Sequence, residues 1–278
     1  MPASRRFKLV RFRTPFELAG SADRVPVVLA HGFLGSGNTR LGPISHRYFY
    51  GVENTINDRD HPVLVTRVSS TGPIRERAAT LGEQIKTWTA TLDNKHKPIV
   101  VAHSMGGLDT RFALTHLGLD KHVDALATVA TPHRGSPFAD WAMAKFSPRL
   151  RAVGNFLRKR TGIDLRGSDE LTNAYAEVFN EQTPDVPGVA YFSIAAVRER
   201  AHTFPGLRFS HDIITRAEGE NDGLVSRWSA KWGTFLGDWA CDHTHSRNQR
   251  FREKHPEPTG DVGPLYQRLV DDVVAAIG

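Results

Sequence analysis

Five short apolar runs bounded by helix and strand breakers punctuate the chain: Val25–Ala30, Val63–Val68, Ile99–His103, Ala125–Ala130 and Val189–Ile194. Most intervals between them are long enough for a helix, and this alternation predicts a parallel α/β sheet. Arg75 to Asp93 carries helical spacing in Ala79, Leu81, Ile85, Trp88 and Leu92, and Gly106 to Leu117 can run as a helix directly after the third strand. A Pro/Gly-rich stretch, Pro256 to Pro264, precedes a closing helix patterned by Leu265, Leu269, Val273, Val274 and Ile277. With 278 residues, 40% of them hydrophobic, the whole chain 1–278 reads as one domain able to bury most of its apolar surface.

One segment departs from the alternation. From Trp141 to Arg166 there is no strand signal, yet Phe146, Leu150, Val153 and Leu157 place one apolar stripe on a helix. Ser147 and Pro148 suit the helix start and Gly162 its stop. The expectation is an insertion over the sheet at about 141–166; an ordinary core-packing helix is the plainer reading of the same stripe.

Charge needs a location before it implies a partner. The net charge is +6. Between Trp141 and Arg166, Lys145, Arg149, Arg151, Arg158, Lys159, Arg160 and Arg166 face Asp164 alone, and the first twenty residues hold five basic side chains against Glu17. The remainder is acidic on balance, so the positive charge is concentrated. Attraction to an anionic lipid surface fits this distribution better than nucleic-acid binding, for which no recognition motif is present. A solvated helix face is the alternative. No apolar run approaches the length of a membrane-spanning helix. The lone Cys241 cannot form an internal disulfide, which favours a reducing, cytoplasmic setting. The Arg-rich, acid-poor N-terminus also suits a mitochondrial presequence, although an ordinary first strand over Phe7 to Phe12 is the plainer reading.

Chemistry is concentrated at Val100-Val101-Ala102-His103-Ser104-Met105-Gly106-Gly107, an apolar strand followed at once by a serine with small residues two positions to either side. Small flanks let backbone segments approach closely around a sharp strand-to-helix turn that projects the hydroxyl. Ser104 is therefore the candidate nucleophile, in an AxSxG setting where glycine is commoner than Ala102. A serine needs a base and a group to orient it. Asp222, in the breaker-rich Glu220 to Val225, and His243, in Cys241 to His245, follow in the order Ser, acid, His. Oxyanion donors are expected from the backbone N–H of Met105 and from that of Phe33, in the loop ending the strand Val27 to Ala30. His31 reads as a structural residue tying down that loop.

Ala30-His31-Gly32-Phe33, His103 to Asp109, Thr131 to Trp141 and Asn221 to Ser226 together resemble the signature segments of α/β-hydrolase triacylglycerol lipases, the bacterial true lipases and the intracellular lipases of fungi. Weaker similarity extends this over about residues 25 to 250. The resemblance implies an α/β-hydrolase fold, a mostly parallel central sheet flanked by helices, with the 141–166 insertion acting as a helical lid. It also implies Ser104, Asp222 and His243 as catalytic residues, with His243 favoured over His245, and Phe33 and Met105 as the oxyanion hole. The expected substrate is an ester or lipid, and no cofactor is expected. The bacterial lipases place a calcium-binding Asp two residues after the catalytic His; here His245 stands there, so no calcium or other metal site of that kind is expected. Carboxylesterase, phospholipase and acyltransferase chemistry share every one of these residues, and a non-catalytic lipid-binding protein shares the fold.

Overall fold

A computed structural model describes residues 15–35, 39–41, 44–46, 48–145, 166–249 and 261–278. Its centre is a seven-stranded sheet of β1 (Phe16–Leu18), β2 (Val27–Ala30), β5 (Val63–Val65), β6 (Ile99–His103), β7 (Ala125–Val129), β8 (Ala190–Ala196) and β9 (Thr234–Trp239). The order is β1-β5-β2-β6-β7-β8-β9, with only β1 antiparallel to its neighbour. A short hairpin, β3 (Thr39–Leu41) and β4 (Ile44–His46), stands apart.

The sheet is apolar on both faces because helices cover both. On one face Val27, Leu29, Ile99, Val101, Ala125 and Ala127 pack with α1 (Val52–Asn57) and α8 (Gly263–Ile277). On the other, Val28, Ala30, Val100, Ala102 and Leu126 pack with α2 (Ile74–Thr89) and α3 (Met105–His116). Successive strand residues thus alternate between two cores, which is why whole runs read as apolar rather than every second residue. α2 buries Ala78, Leu81, Ile85 and Trp88, a three-four-three spacing; the stripe runs through Ala78 and leaves the expected Ala79 exposed. Burial of Leu81 and Ile85 contributes roughly 1.5–3 kcal/mol each before conformational entropy.

A helix over 137–145, α4, contains Trp141, whose ring lies 4.9 Å from that of Phe209 in an edge-on contact. The remainder of the expected insertion, with the stripe from Phe146 to Leu157, lies outside the described residues, as does Phe7 to Phe12. The chain re-enters at Gly167, whose N–H donates to Thr71 O at 3.2 Å. It continues through α5 (Asn173–Gln182), β8, α6 (Arg208–Glu218), α7 (Arg227–Ala230) and β9. Parallel strands gather their carboxyl ends on one edge, and open α/β sheets bind ligands there. Residues 31–33 follow β2 on that edge, Ser104 follows β6, and His243 follows β9.

Candidate active site

One residue separates β6 from α3. Ser104 turns the chain with φ 56° and ψ −134°, a left-handed backbone that costs a non-glycine residue about 1–3 kcal/mol and is retained only where its surroundings over-determine it. Here Ser104 N–H donates to Val129 O at 2.9 Å, while Ser104 O accepts from Thr131 Oγ1 at 2.7 Å and Gly107 N at 3.0 Å. The flanking residues are small for a measurable reason. A Cβ on Gly106 would lie 2.6 Å from Ala30 O, and one on Gly32 would lie 2.6 Å from Ser104 Cβ. Ala102, paired in register with Ala30 and fully buried, shows that one methyl group fits where glycine is commoner.

Ser104, His243 and Asp222 are brought together. His243 Nε2 lies 3.0 Å from Ser104 Oγ, and His243 Nδ1 lies 2.7 Å from Asp222 Oδ2. Because a carboxylate only accepts, the imidazole proton sits on Nδ1 and leaves the Nε2 lone pair facing the serine hydroxyl. Asp222 is fully buried, and its second oxygen accepts from the N–H groups of Leu224 at 2.8 Å and Val225 at 2.7 Å. Asn221 shapes the turn by accepting from Gly223 N at 2.8 Å, and His243 N–H donates to Asp222 O at 2.9 Å, joining acid and base loops directly. The His243 loop is itself braced by Asp242. Its carboxylate accepts from Thr244 N, Thr244 Oγ1 and His245 N, and from Phe204 N across the loop, all within 3.0 Å. His245 thus takes part through its backbone amide.

Among the described residues, neither Phe33 N–H nor Met105 N–H donates to a protein acceptor. The loop carrying Phe33 is held by His31, whose Nε2 accepts from Val68 N at 3.2 Å, so that Nδ1–H donates to Gly32 O at 3.0 Å. Arg77, fully buried, donates to His31 O at 2.8 Å and to Asp109 Oδ2 at 2.9 Å, and also reaches Ser69 O. One guanidinium therefore ties this loop to α3. The Thr131 to Trp141 segment braces the acid loop from the other side: Ser136 Oγ donates to Leu224 O at 2.7 Å, and Ser229 Oγ donates to Gly135 O at 2.7 Å. Nearby, the Arg111 guanidinium stacks 3.6 Å from the Trp232 ring. Sequence reasoning missed Arg77, Tyr48 and Ser246, whose partners are distant in the chain. Among the described residues, no group of three His, Cys, Asp or Glu side chains is arranged to hold a metal ion.

Three buried imidazoles resist protonation. Burial, reinforced by Arg77, lowers His31 to about 3, and burial with neighbouring cationic groups lowers His103 and His133 well below the ordinary value. Below about pH 6.5 the unfolded chain takes up protons that these residues refuse when folded, so each of them makes the folded state less stable as the pH falls. Asp109 acts oppositely. Burial outweighs the pull of Arg77 and raises its carboxyl to about 6, so the folded state gains relative stability as pH falls from that value towards 3.8. Burial likewise raises the Glu170 carboxyl, and three imidazoles against two carboxyls give a net loss. Thermal melts should show Tm falling steadily from about pH 7 to about pH 5; an unchanged or rising Tm would mean that these imidazoles are protonated in place.

A family model described as a PGAP1-like alpha/beta domain matches residues 71–182. The chain is 32% identical over 256 residues to Triacylglycerol lipase 2 of Saccharomyces cerevisiae, covering 86% of this chain and 76% of the yeast protein. It is 25% identical over 269 residues to a triacylglycerol lipase of Pseudomonas fragi, covering 82% and 89% of the two chains. The Staphylococcus hyicus lipase structure is similar in fold, with a TM-score of 0.71 at 17% identity over 92% of this chain and 96% of that one. The resemblance in the signature segments thus extends to most of the sequence and to the sheet itself, and the chain belongs to the triacylglycerol lipase family, serine hydrolases of carboxylic esters with the α/β-hydrolase fold.

Proposed function

We propose that the chain hydrolyses acylglycerol esters through a covalent acyl-enzyme, with Ser104 as nucleophile, His243 as base and acid, and Asp222 as the group that orients it. The observation that carries this reading is the continuous chain from Ser104 Oγ through both nitrogens of His243 to buried Asp222, with the N–H groups of Met105 and Phe33 free of protein acceptors among the described residues. Ser104 Oγ attacks the ester carbonyl carbon while its proton passes to His243 Nε2. Negative charge develops on the carbonyl oxygen, where Phe33 and Met105 N–H groups receive it. His243 then protonates the departing alkoxide oxygen as the carbon–oxygen bond breaks. Water attacks the acyl-enzyme in the same way, returning the proton to Ser104 and releasing the acid.

An apolar acyl chain suits the surroundings. Leu34, 70% exposed, directly follows Phe33, and Leu207 lies so close to Gly223 that a Cβ there would approach its Cβ to 2.8 Å. The similarity to triacylglycerol lipases supports the glyceride as the alcohol part. The cationic excess of 141–166 and of the N-terminal residues supports attraction to anionic lipid.

The test has two parts. A fluorophosphonate should label Ser104 alone, and the rate on a long-chain triacylglycerol should climb once the substrate exceeds its solubility and forms droplets, more so at low salt when the droplets carry anionic phospholipid. Absence of labelling in folded protein would overturn the acyl-enzyme. Turnover confined to dissolved short-chain esters would make the protein a carboxylesterase.

A further inference from the structure

Behind the reacting groups, a second imidazole joins the two halves of the site. His103, the residue before Ser104, is fully buried. Its Nδ1 lies 2.7 Å from Tyr48 Oη, and Tyr48 Oη accepts from Gly32 N–H at 3.1 Å, in the peptide unit next to the Phe33 amide. Its Nε2 lies 2.7 Å from Ser246 Oγ, which donates to His243 O at 2.9 Å. One arrangement of protons satisfies every contact. Since Ser246 gives its hydroxyl hydrogen to His243 O, it must accept from His103 Nε2–H; His103 Nδ1 is then an acceptor and takes the Tyr48 hydroxyl hydrogen. The chain runs without a break from Gly32 on the β2 loop to His243 on the β9 loop, through a side chain anchored at the end of β6.

We propose that His103 is a positioning residue that sets the oxyanion donors and the base in fixed register with each other, through Tyr48 on one side and Ser246 on the other. The buried surroundings suit that role. Tyr48 is clamped by the Arg247 guanidinium, 4.6 Å from its ring centroid, and Ser246 O accepts from Tyr266 Oη at 2.8 Å, so both ends of the imidazole meet groups that are themselves held. The His103 ring centroid lies 4.7 Å from that of His243, close enough that burial and this neighbour together keep His103 neutral while His243 carries a proton in the reaction. A small shift of either loop would misplace one reacting group relative to the other, and misplacement of about 1 Å costs on the order of 10²-fold in rate.

This inference rests on the triad assigned above, and the experiment separates the two. Enzyme is titrated with a fluorophosphonate so that kcat is counted per reactive serine, and Tyr48→Phe, Ser246→Ala and their double variant are compared on a soluble ester. Each single variant should lower kcat with KM within about threefold, and the double variant should be little worse than the poorer single, because both changes break one chain. His103→Phe should match the double variant. His103→Gln, which places a donor near the Nε2 position, should recover the Ser246 link in part and stand above His103→Phe. Fully multiplicative effects of Tyr48→Phe and Ser246→Ala, or an unchanged kcat in folded His103→Phe, would overturn the positioning role. Failure of the wild-type protein to label at Ser104 would instead overturn the triad. If His103→Phe does not fold, the Tyr48 and Ser246 cycle still decides the question.

Discussion

Ser104→Ala is expected to abolish ester hydrolysis, with a loss of about 10⁴-fold or more in kcat/KM, while leaving the fold intact. The two parts of this expectation come from different atoms. In the proposed mechanism Oγ forms the acyl bond, and among the described residues His243 Nε2, 3.0 Å away, has no other oxygen partner. The turn itself is held through main-chain groups, by Ser104 N–H on Val129 O and by Ser104 O accepting from Thr131 and Gly107, all of which alanine keeps. The left-handed φ is no worse for alanine than for serine. Initial rates on a nitrophenyl ester, set beside a thermal melt, check both parts. Retained turnover would remove Ser104 from the mechanism, and a large fall in Tm would mean that the hydroxyl also supports the elbow.

Asp222→Asn should lower kcat by about 10⁴-fold at neutral pH with nearly unchanged stability. Asparagine fits the same space, and its Oδ1 can still accept from Leu224 and Val225 N–H groups. Its amide nitrogen would then face His243 Nδ1 as a donor, so Nδ1 must become the acceptor and the ring proton must move to Nε2. The base would present a hydrogen to a hydroxyl from which it should take one. Both loops would remain in place, since His243 N–H donates to the main-chain oxygen of residue 222. Steady-state kinetics across the neutral range decide the matter. A loss of less than tenfold would show that Asp222 is not what selects the imidazole proton.

The parts of this molecule that were readable in the sequence are those whose cause is local. Ile99–His103 is an apolar run on adjacent residues, and the AxSxG pattern marks the turn because the crowding it relieves lies within a few residues of Ser104. α2 was legible from its spacing, although the choice between Ala78 and Ala79 depended on the exact angle at which the helix meets the sheet. The pairing of His243 with a serine 139 residues earlier is different. Chain order and resemblance singled it out, whereas periodicity could not. Tyr48 meets His103 across 55 residues and has no pattern of its own. Arg77 occupies a helical position that composition assigns to water; it is buried because Asp109 and two loop carbonyls meet it there. β9 escaped notice because it is a half-exposed edge strand: Thr234, Leu236 and Asp238 face outward and Gly237 takes an inward position, so no apolar run marks it. These features depend on tertiary structure that a local pattern does not contain.

Under the proposed mechanism, the placement of Ser104, Asp222 and His243 along the chain also fixes when the protein becomes reactive. β6 lies at the centre of the sheet, and β7, β8 and β9 are laid down outward from it in the order in which they are synthesised. Ser104 is therefore made early, Asp222 later, and His243 only after the outermost strand. Domains generally fold as units once their residues have been made. Until β9 docks beside β8, the growing polypeptide carries a serine with no base, an alcohol as inert as any other on its surface. Under the proposed mechanism an unfinished chain thus has no base to activate Ser104, and the strand made last completes the site around a group made early.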